Sequence, residues 1–169
     1  MSTPDLPDSV PCIQIVGAKN QGKTSLIREI LPILKAKGIK VLSFKHSSHL
    51  HPVDKPGADS DIFRKAGADV SVFQSGDGTG IYFPSWNDSL VSAVLQSIIN
   101  HIDLIIVESF SSFSGPKILL HQTQLPQSIP ENVIAVIGKV VPQLSESTVL
   151  PYDKQVISDF ICKTFNLPQ

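Results

Sequence analysis

Apolar residues recur along this chain at two spacings, and the spacing separates short strands from helices. Residues 12–16 form a mostly apolar, β-branched run, which is typical of a strand covered on both faces. Residues 23–37 carry apolar side chains three and four positions apart, and Gly38 follows where such a helix would end. Pro32 lies inside this pattern and is expected to kink the helix. The pattern therefore predicts a strand followed directly by a helix.

Later segments continue this alternation of strands and helices. The glycine-containing turn at residues 76–78 favours a hairpin, and residues 104–107 are the most apolar strand, expected near the middle of a sheet. Such alternation predicts an α/β fold with a mainly parallel β-sheet flanked by helices, right-handed crossovers and a β-hairpin insertion. The further predicted strands are residues 40–44, 69–74, 79–83, 104–107, 118–121 and 133–137, and the further predicted helices are residues 59–66, 88–100 and 153–165.

The sequence GAKNQGKT, residues 17–24, lies between the first strand and the first helix and fits the pattern G-x-x-x-x-G-K-[ST]. In that pattern backbone N–H groups surround phosphates, the lysine reaches the β/γ-phosphates and the hydroxyl ligates Mg²⁺. The helix N-terminus adds partial positive charge beneath the phosphates, so the placement favours a P-loop NTPase-type fold over an ordinary glycine-bounded turn. The residues predicted to contact a nucleotide are Gly17, Ala18, Lys19, Asn20, Gln21, Gly22, Lys23, Thr24 and Ser25.

Two carboxylates flank the most apolar strand, Asp103 before it and Glu108 after it. About 3.3 Å of strand per residue separates them, so they lie at opposite ends of the sheet. Ligands of open α/β sheets bind at the carboxyl ends of the strands, which places only Glu108 near the phosphates. We therefore predict that Thr24 and Glu108 hold Mg²⁺ or its water, and that Lys23 and Glu108 are the candidate catalytic residues. A plain surface carboxylate is the alternative for Glu108.

A long connector, residues 45–61, follows the second strand without an apolar period, and connectors of this length are usually functional or disordered. Three histidines in it suggest a metal site, although they lack a cysteine and lie on a loop. Contact with a ligand beside the phosphate loop is favoured over a metal site or a solvated loop. The residues concerned are Lys45, His46, His49, His51, Asp54, Lys55 and Asp59.

Composition limits the other functions. Fourteen basic and fifteen acidic side chains give a net charge of −1, which leaves no broad basic surface for nucleic acid or anionic lipid. No apolar run is long enough to cross a bilayer and the N-terminus lacks a leader pattern, so a cytoplasmic location is expected. Cys12 and Cys162 are expected to be inert thiols. We predict a flexible lead-in at residues 1–11 and one nucleotide-binding domain at residues 12–169.

Several short motifs occur together and make the chain similar to one known family. They are the 17–24 loop, FKH at 44–46, DKPGADS at 54–60, RKAGA at 64–68, DLIIVESF at 103–110 and PKI at 116–118. The phosphate loop alone is common to many nucleotide hydrolases. The joint occurrence of DKPGADS and RKAGA after a strand that ends in KH is much more specific. With them the chain resembles the molybdopterin-guanine dinucleotide biosynthesis adapter protein family, MobB, over residues 12–138.

The resemblance implies a GTP-binding protein with weak intrinsic hydrolysis. It implies a homodimer that acts beside the guanylyltransferase attaching GMP to molybdopterin, with GTP and Mg²⁺ as cofactors and a molybdopterin-type substrate. The family pattern carries phosphate contact onto residues 17–24 and metal contact onto Thr24 and Glu108. It carries a substrate-facing role onto His46, Asp54, Lys55 and Asp59. The predicted strand at residues 133–137 is followed by Gly138 and Lys139. This segment lacks the Asp that would accept hydrogen bonds from a guanine base.

Three other functions remain open at this level. A small-molecule kinase on the same loop needs cationic clamps on the transferred phosphoryl group, and the arginines Arg28 and Arg64 do not lie in a lid-like segment. A metal-delivery GTPase is supported only by the histidines of residues 46–51. A non-enzymatic adapter would bind nucleotide merely to be recognised by its partner. Because no arginine finger is evident in the chain, hydrolysis by the isolated protein is expected to be slow.

Overall fold

The computed structural model describes residues 9–45, 47, 52–83, 88–108 and 113–169. Every predicted helix and strand is present, with bounds that differ by one or two residues at most ends. The strands are β1 Cys12–Val16, β2 Val41–Lys45, β3 Ser71–Ser75, β4 Gly78–Tyr82, β5 Leu104–Glu108, β6 Lys117–His121, β7 Val133–Gly138 and β8 Thr148–Leu150. The helices are α1 Lys23–Ala36, α2 Asp59–Lys65, α3 Asp88–Ile98 and α4 Lys154–Thr164, with 3₁₀-helices at Ile99–His101 and Pro142–Leu144.

Six strands form one sheet in the order β2-β5-β1-β6-β7-β8, and every neighbouring pair in it is parallel. β5 lies inside the sheet between β2 and β1, as its apolar sequence predicts, and all five of its residues are buried. Parallel neighbours require crossover connections, and these place helices on the faces of the sheet. The predicted α/β class with a mainly parallel sheet is therefore confirmed.

One face of the sheet carries the main core. Ile13 and Ile15 of β1 are fully buried there against Leu26 and Ile30 of α1, and α4 packs beside α1. Side chains of a strand alternate between faces, so the intervening residues of β5 and β6 form two smaller clusters on the opposite face. The large cluster holds α1 firmly over β1, which fixes the loop that joins them.

Residues 71–82 form the antiparallel hairpin β3–β4 as a separate two-stranded sheet, which confirms the predicted insertion. The short helix α2 contacts β3. The connection after β2 therefore places its described helix on the hairpin. Because α2 lies on the hairpin, no helix among the described residues covers part of the sheet face over β2 and β5.

Helix ends follow the sequence signals closely. Gly38 adopts φ +80° and its N–H bonds the Lys35 carbonyl, which ends α1 as predicted. Asp153 caps α4 through bonds from the N–H groups of Gln155 and Val156, so the helix begins one residue later than predicted. Pro32 lies inside α1 without interrupting its helical assignment.

The predicted division into a lead-in and one domain stays a prediction, because residues 1–8 lie outside the described residues. No helix among the described residues is long and apolar enough to span a membrane. Cys12 and Cys162 are free thiols, and burial raises the pKa of Cys12 to about 12 and also raises that of Cys162. Both thiols are therefore protonated near neutral pH, as expected for inert cysteines.

Candidate functional site

The loop between β1 and α1 has the backbone of an anion-binding turn. Gly17, Asn20 and Gly22 have φ of +152°, +62° and +91°, and such alternation turns successive N–H groups toward one concavity. Asn20 is one of the few side-chain-bearing residues that tolerate a left-handed backbone. Gly22 stands at the N-cap of α1 without a side-chain cap, so the first N–H groups of the helix remain available to an anion.

Lys23 is folded back over this loop. Its Nζ donates hydrogen bonds to the carbonyl oxygens of Gly17, at 2.9 Å, and Ala18, at 2.8 Å. Burial lowers the pKa of Lys23, and the neighbouring Glu108 carboxylate opposes that shift while Lys45 reinforces it. The ammonium group is thus held at the loop rather than in solvent, where it can meet a polyphosphate.

Glu108 lies beside the start of α1, as the strand geometry predicts. Its Oε1 accepts a hydrogen bond from Thr24 Oγ1 at 2.7 Å and lies 3.2 Å from Lys45 Nζ. Glu108 is 7% exposed, so the carboxylate is held between β1, β2 and α1. Asp103 lies at the other end of β5, where its Oδ2 accepts the Lys40 N–H at 2.8 Å. Thr24, Lys45 and Glu108 are therefore the predicted residues that the structure brings together.

Gln21 has a side-chain role that the sequence pattern did not reveal. The side chain is buried, and its Oε1 accepts bonds from the N–H groups of Gln122 and Thr123 at 3.0 and 2.9 Å. Its Nε2 donates to Thr123 Oγ1 at 2.8 Å. Gln21 therefore ties the phosphate loop to the turn that follows β6. A variable position of the loop motif gives no signal for such a partner, which is about a hundred residues away in sequence.

The segment around α2 is organised by its own carboxylates. Asp54 accepts bonds from Ser60 Oγ at 2.6 Å and from the Lys55 N–H at 2.7 Å. Asp61, which the sequence analysis did not single out, is buried and pairs with Arg64 and Lys65 at 2.6 and 2.7 Å. Its pKa lies below the usual range because the Gly57 N–H and these cations stabilise the carboxylate.

These contacts all lie within residues 54–65, and none of the described hydrogen bonds joins them to the phosphate loop. Asp54 is half-buried, while Lys55 and Asp59 are exposed. The predicted contact of these three residues with a ligand or substrate stays a prediction. His46, His49 and His51 lie outside the described residues. Among those described, no group of three or more His, Cys, Asp or Glu side chains is arranged to bind a metal ion.

Tyr152 is a further residue beside the loop that the sequence analysis missed. It follows β8, and its hydroxyl lies 4.0 Å from where a Cβ on Gly22 would stand. Burial raises the pKa of Tyr152, and the negative charge of Glu29 acts in the same direction. β8 has only three residues, too few for a strand pattern, so nothing in the sequence placed Tyr152 near the phosphate loop.

A parallel sheet with this loop between its β1 strand and its α1 helix defines the class of P-loop NTPase-type proteins. Residues 12–139 match the family described as "Molybdopterin guanine dinucleotide synthesis protein B", MobB. Since this match spans most of the chain, the chain belongs to the MobB family.

Relatives and solved structures agree with that assignment. The chain is 29% identical over 158 residues to the "Molybdopterin-guanine dinucleotide biosynthesis adapter protein" of Haemophilus influenzae, covering 91% of this chain and 89% of that one. It is 29% identical over 160 residues to the protein of that name from Escherichia coli, covering 90% and 91%. The crystal structure of Bacillus subtilis MobB matches with a TM-score of 0.70 and 22% identity, covering 92% of this chain and 98% of that one. At this identity the structural match shows the shared fold.

Proposed function

We propose that this chain is a GTP-binding adapter in the synthesis of molybdopterin guanine dinucleotide, with slow GTP hydrolysis. The observation that carries the proposal is the set of groups gathered at one helix start. These groups are the open N–H groups of the loop, the Lys23 ammonium, and the Thr24 hydroxyl bonded to Glu108. The names of the relatives supply the pathway.

The donor set suits a magnesium nucleotide. A hydroxyl and a carboxylate are ligands that Mg²⁺ prefers, and backbone N–H groups with a lysine suit phosphate oxygens. Bound Mg²⁺ would supply charge neutralisation of the phosphates. In this proposal Thr24 and Glu108 hold the metal or its water, the loop holds the phosphates, and Lys45 neutralises Glu108 when the metal is absent.

Hydrolysis is proposed to be slow because neither Arg28 nor Arg64 forms a described hydrogen bond or ion pair with the phosphate loop or Glu108. Arg64 is bound to Asp61 at 2.6 Å, in the α2 segment, and Arg28 lies one turn of α1 beyond Thr24. An arginine finger contributes a factor of about 10³ or more to hydrolysis. Assistance by a partner is therefore part of the proposal, and the guanylyltransferase is the proposed partner.

Nucleotide preference tests the function directly. With Mg²⁺ present, titration calorimetry of the purified chain is expected to show GTP binding in the micromolar range, with ATP binding at least about tenfold weaker, a difference of roughly 1.4 kcal/mol. GDP is expected to bind with an affinity between those of GTP and ATP, because it lacks the γ-phosphate. Equal affinity for ATP and GTP would contradict the guanine preference, and no binding of any of the three would overturn the function.

Replacing Glu108 with glutamine tests the metal site. The change keeps the size of the side chain but removes the charge that would attract Mg²⁺. We expect the Mg²⁺ concentration needed for half-maximal GTP binding to rise by about tenfold or more, since one charged contact to the metal shell is lost. GTP affinity without Mg²⁺ is expected to change little or rise. Asp103→Asn, at the far end of β5, is the matched control, and an equal effect in both variants would contradict the assignment.

A homodimer and a cytoplasmic location belong to the same proposal. The hairpin exposes apolar side chains on both of its faces: Val72 is 62% exposed and Phe73, its neighbour, 53%. Phe63 of α2, the helix that contacts β3, is 60% exposed. Exposed apolar side chains of this size favour burial against a partner, and a second copy of the chain is the partner proposed.

Sedimentation velocity measures this assembly. The unaltered chain is expected to sediment as a dimer of the 18.3 kDa subunit, and the Phe63→Ser/Phe73→Ser double variant mainly as a monomer. Tyr152→Ser, which removes an exposed aromatic outside the hairpin, is expected to keep the dimer. If the unaltered chain stays monomeric at high concentration, the proposed homodimer is contradicted.

A further inference from the structure

A groove of about 970 Å³ lies between α1 and the strands β2 and β5. It exists because α4 covers the sheet on one side of α1, while the connection after β2 places α2 on the hairpin instead of on the other side. The volume falls within the range of pockets that hold small molecules. The groove is thus a candidate site that adjoins the phosphate loop, because Thr24 and Glu108 are among its lining residues.

The floor of the groove is aliphatic. Ile106 of β5 and Ile39 before β2 are almost fully buried, at 1% and 3% exposure, and they form the base. Ile27 and Leu31 of α1 make one wall, and Ile102 closes the amino end of β5. A surface of this kind binds a flat ring or another apolar body of a ligand, because that body loses contact with water.

The rim of the groove is cationic, unlike the chain as a whole. Four basic side chains line it against one acid, Glu108, in a chain whose net charge is −1. Lys45 is paired with Glu108, whereas Lys35 and Lys40 form no ion pair with another described residue. Unpaired cations along an apolar floor favour an anionic ligand. The four side chains are Arg28, Lys35, Lys40 and Lys45.

Chain direction separates these charges into two ends. α1 runs back from the phosphate loop, so Lys35 lies at the amino end of the sheet with Lys40, while Arg28 and Lys45 lie at the carboxyl end with Glu108. Five residues of strand span roughly 16 Å between the ends. A polyphosphate on the loop would repel a second anion at the carboxyl end. The amino end is therefore the favoured place for the anionic group, because Lys35 and Lys40 outnumber the one carboxylate that the described residues place there, that of Asp103, which accepts the Lys40 N–H at 2.8 Å.

We infer that this groove binds a phosphorylated heterocycle as a second ligand, with its ring on the aliphatic floor and its phosphate at Lys35 and Lys40. Thr24 and Glu108 line the groove as well as the candidate metal site, so the ring of the ligand would point toward the terminal phosphate of a nucleotide on the loop. The nucleotide on the loop and the heterocycle in the groove would then lie on two sides of the N-terminus of α1.

Hydroxymethylpterin diphosphate is a suitable probe, and the choice of a pterin rests on the proposed function. The probe is titrated into chain labelled at isoleucine methyl groups, with and without saturating GTP and Mg²⁺, and inorganic diphosphate is titrated separately. The methyl signals of Ile39, Ile102 and Ile106 are expected to shift with the pterin probe in both conditions, while Ile118 and Ile137 inside the sheet stay unchanged. Diphosphate alone is expected to bind more weakly because it lacks the ring.

Charge variants test the phosphate position. Lys35→Gln/Lys40→Gln is expected to weaken probe binding by about tenfold, since two exposed cation contacts are lost. The control Lys154→Gln/Lys163→Gln removes the same charge from exposed positions on α4 and is expected to change binding by less than about twofold. Neither variant alters the phosphate loop, so GTP affinity should be retained in both.

Several outcomes would overturn the inference: no methyl shifts at saturating probe, shifts confined to methyl groups outside the groove, or equal losses in the two double variants. A probe that binds at the groove in a chain that fails to bind GTP would support the groove and overturn the proposed function instead. A chain that binds GTP but leaves the groove methyl signals unmoved would overturn the groove alone.

Discussion

Replacing Lys23 with methionine is expected to lower the affinity for GTP with Mg²⁺ by about a hundredfold, roughly 3 kcal/mol. Methionine keeps much of the aliphatic stem but removes the ammonium that bonds the Gly17 and Ala18 carbonyls and faces the β/γ-phosphates. A charge-assisted bond in a site shielded from water is worth more than an exposed one, and Lys23 is half-buried, which lowers the pKa of its ammonium. GMP, which lacks those phosphates, should lose much less affinity.

Titration calorimetry with GTP and with GMP measures both effects. Lys163→Met is the matched control, because this lysine is exposed in the last turn of α4 and should leave both affinities unchanged. Thermal unfolding of the two variants shows whether each is folded. Undiminished GTP affinity in a folded Lys23→Met chain would mean that the nucleotide binds elsewhere.

Replacing Gly17 with alanine is expected to reduce the free energy of unfolding by about 3 kcal/mol. A Cβ at this position would lie 2.6 Å from the Leu120 carbonyl oxygen, well inside van der Waals contact. Leu120 is fully buried in β6, beside β1, so it cannot move aside without disturbing the sheet. The backbone φ of +152° adds a second cost, since side-chain-bearing residues rarely adopt it.

Two other glycines separate these two costs. Gly38→Ala places a Cβ in open space at φ +80°, so only the backbone cost of about 1 kcal/mol applies. Gly76→Ala has neither a close neighbour nor a left-handed φ, and is expected to change stability by less than about 0.5 kcal/mol. Chemical denaturation of all three variants measures the series. A loss at Gly17 no larger than at Gly38 would show that β1 and β6 tolerate the extra methyl group.

Local patterns predicted most of the individual elements. Gly38 marked the end of the first helix, and the turn at residues 76–78 marked the hairpin. These signals act between residues close in sequence, so a single chain reveals them. β8 was not predicted from the sequence, because three residues are too few to show the period of a strand. It is a strand only through its pairing with β7.

Local patterns likewise predicted some residues of the candidate site and not others. The loop motif identified Gly17, Lys23 and Thr24, and the length of β5 placed Glu108 rather than Asp103 beside them. The Gln21 contacts with residues 122–124 and the position of Tyr152 depend on which strands become neighbours. No local pattern carries that information.

By itself, the sequence determined the α/β class, the phosphate loop between a strand and a helix, and the end of the sheet where Glu108 lies. Each of these follows from spacing within a short stretch, because backbone geometry fixes the period of a helix or strand. Only the tertiary structure decided the strand order, the tie from Gln21 to the turn after β6, and the groove beside α1. Those features arise from packing between distant segments, and the groove exists because α2 lies on the hairpin instead of over β2 and β5.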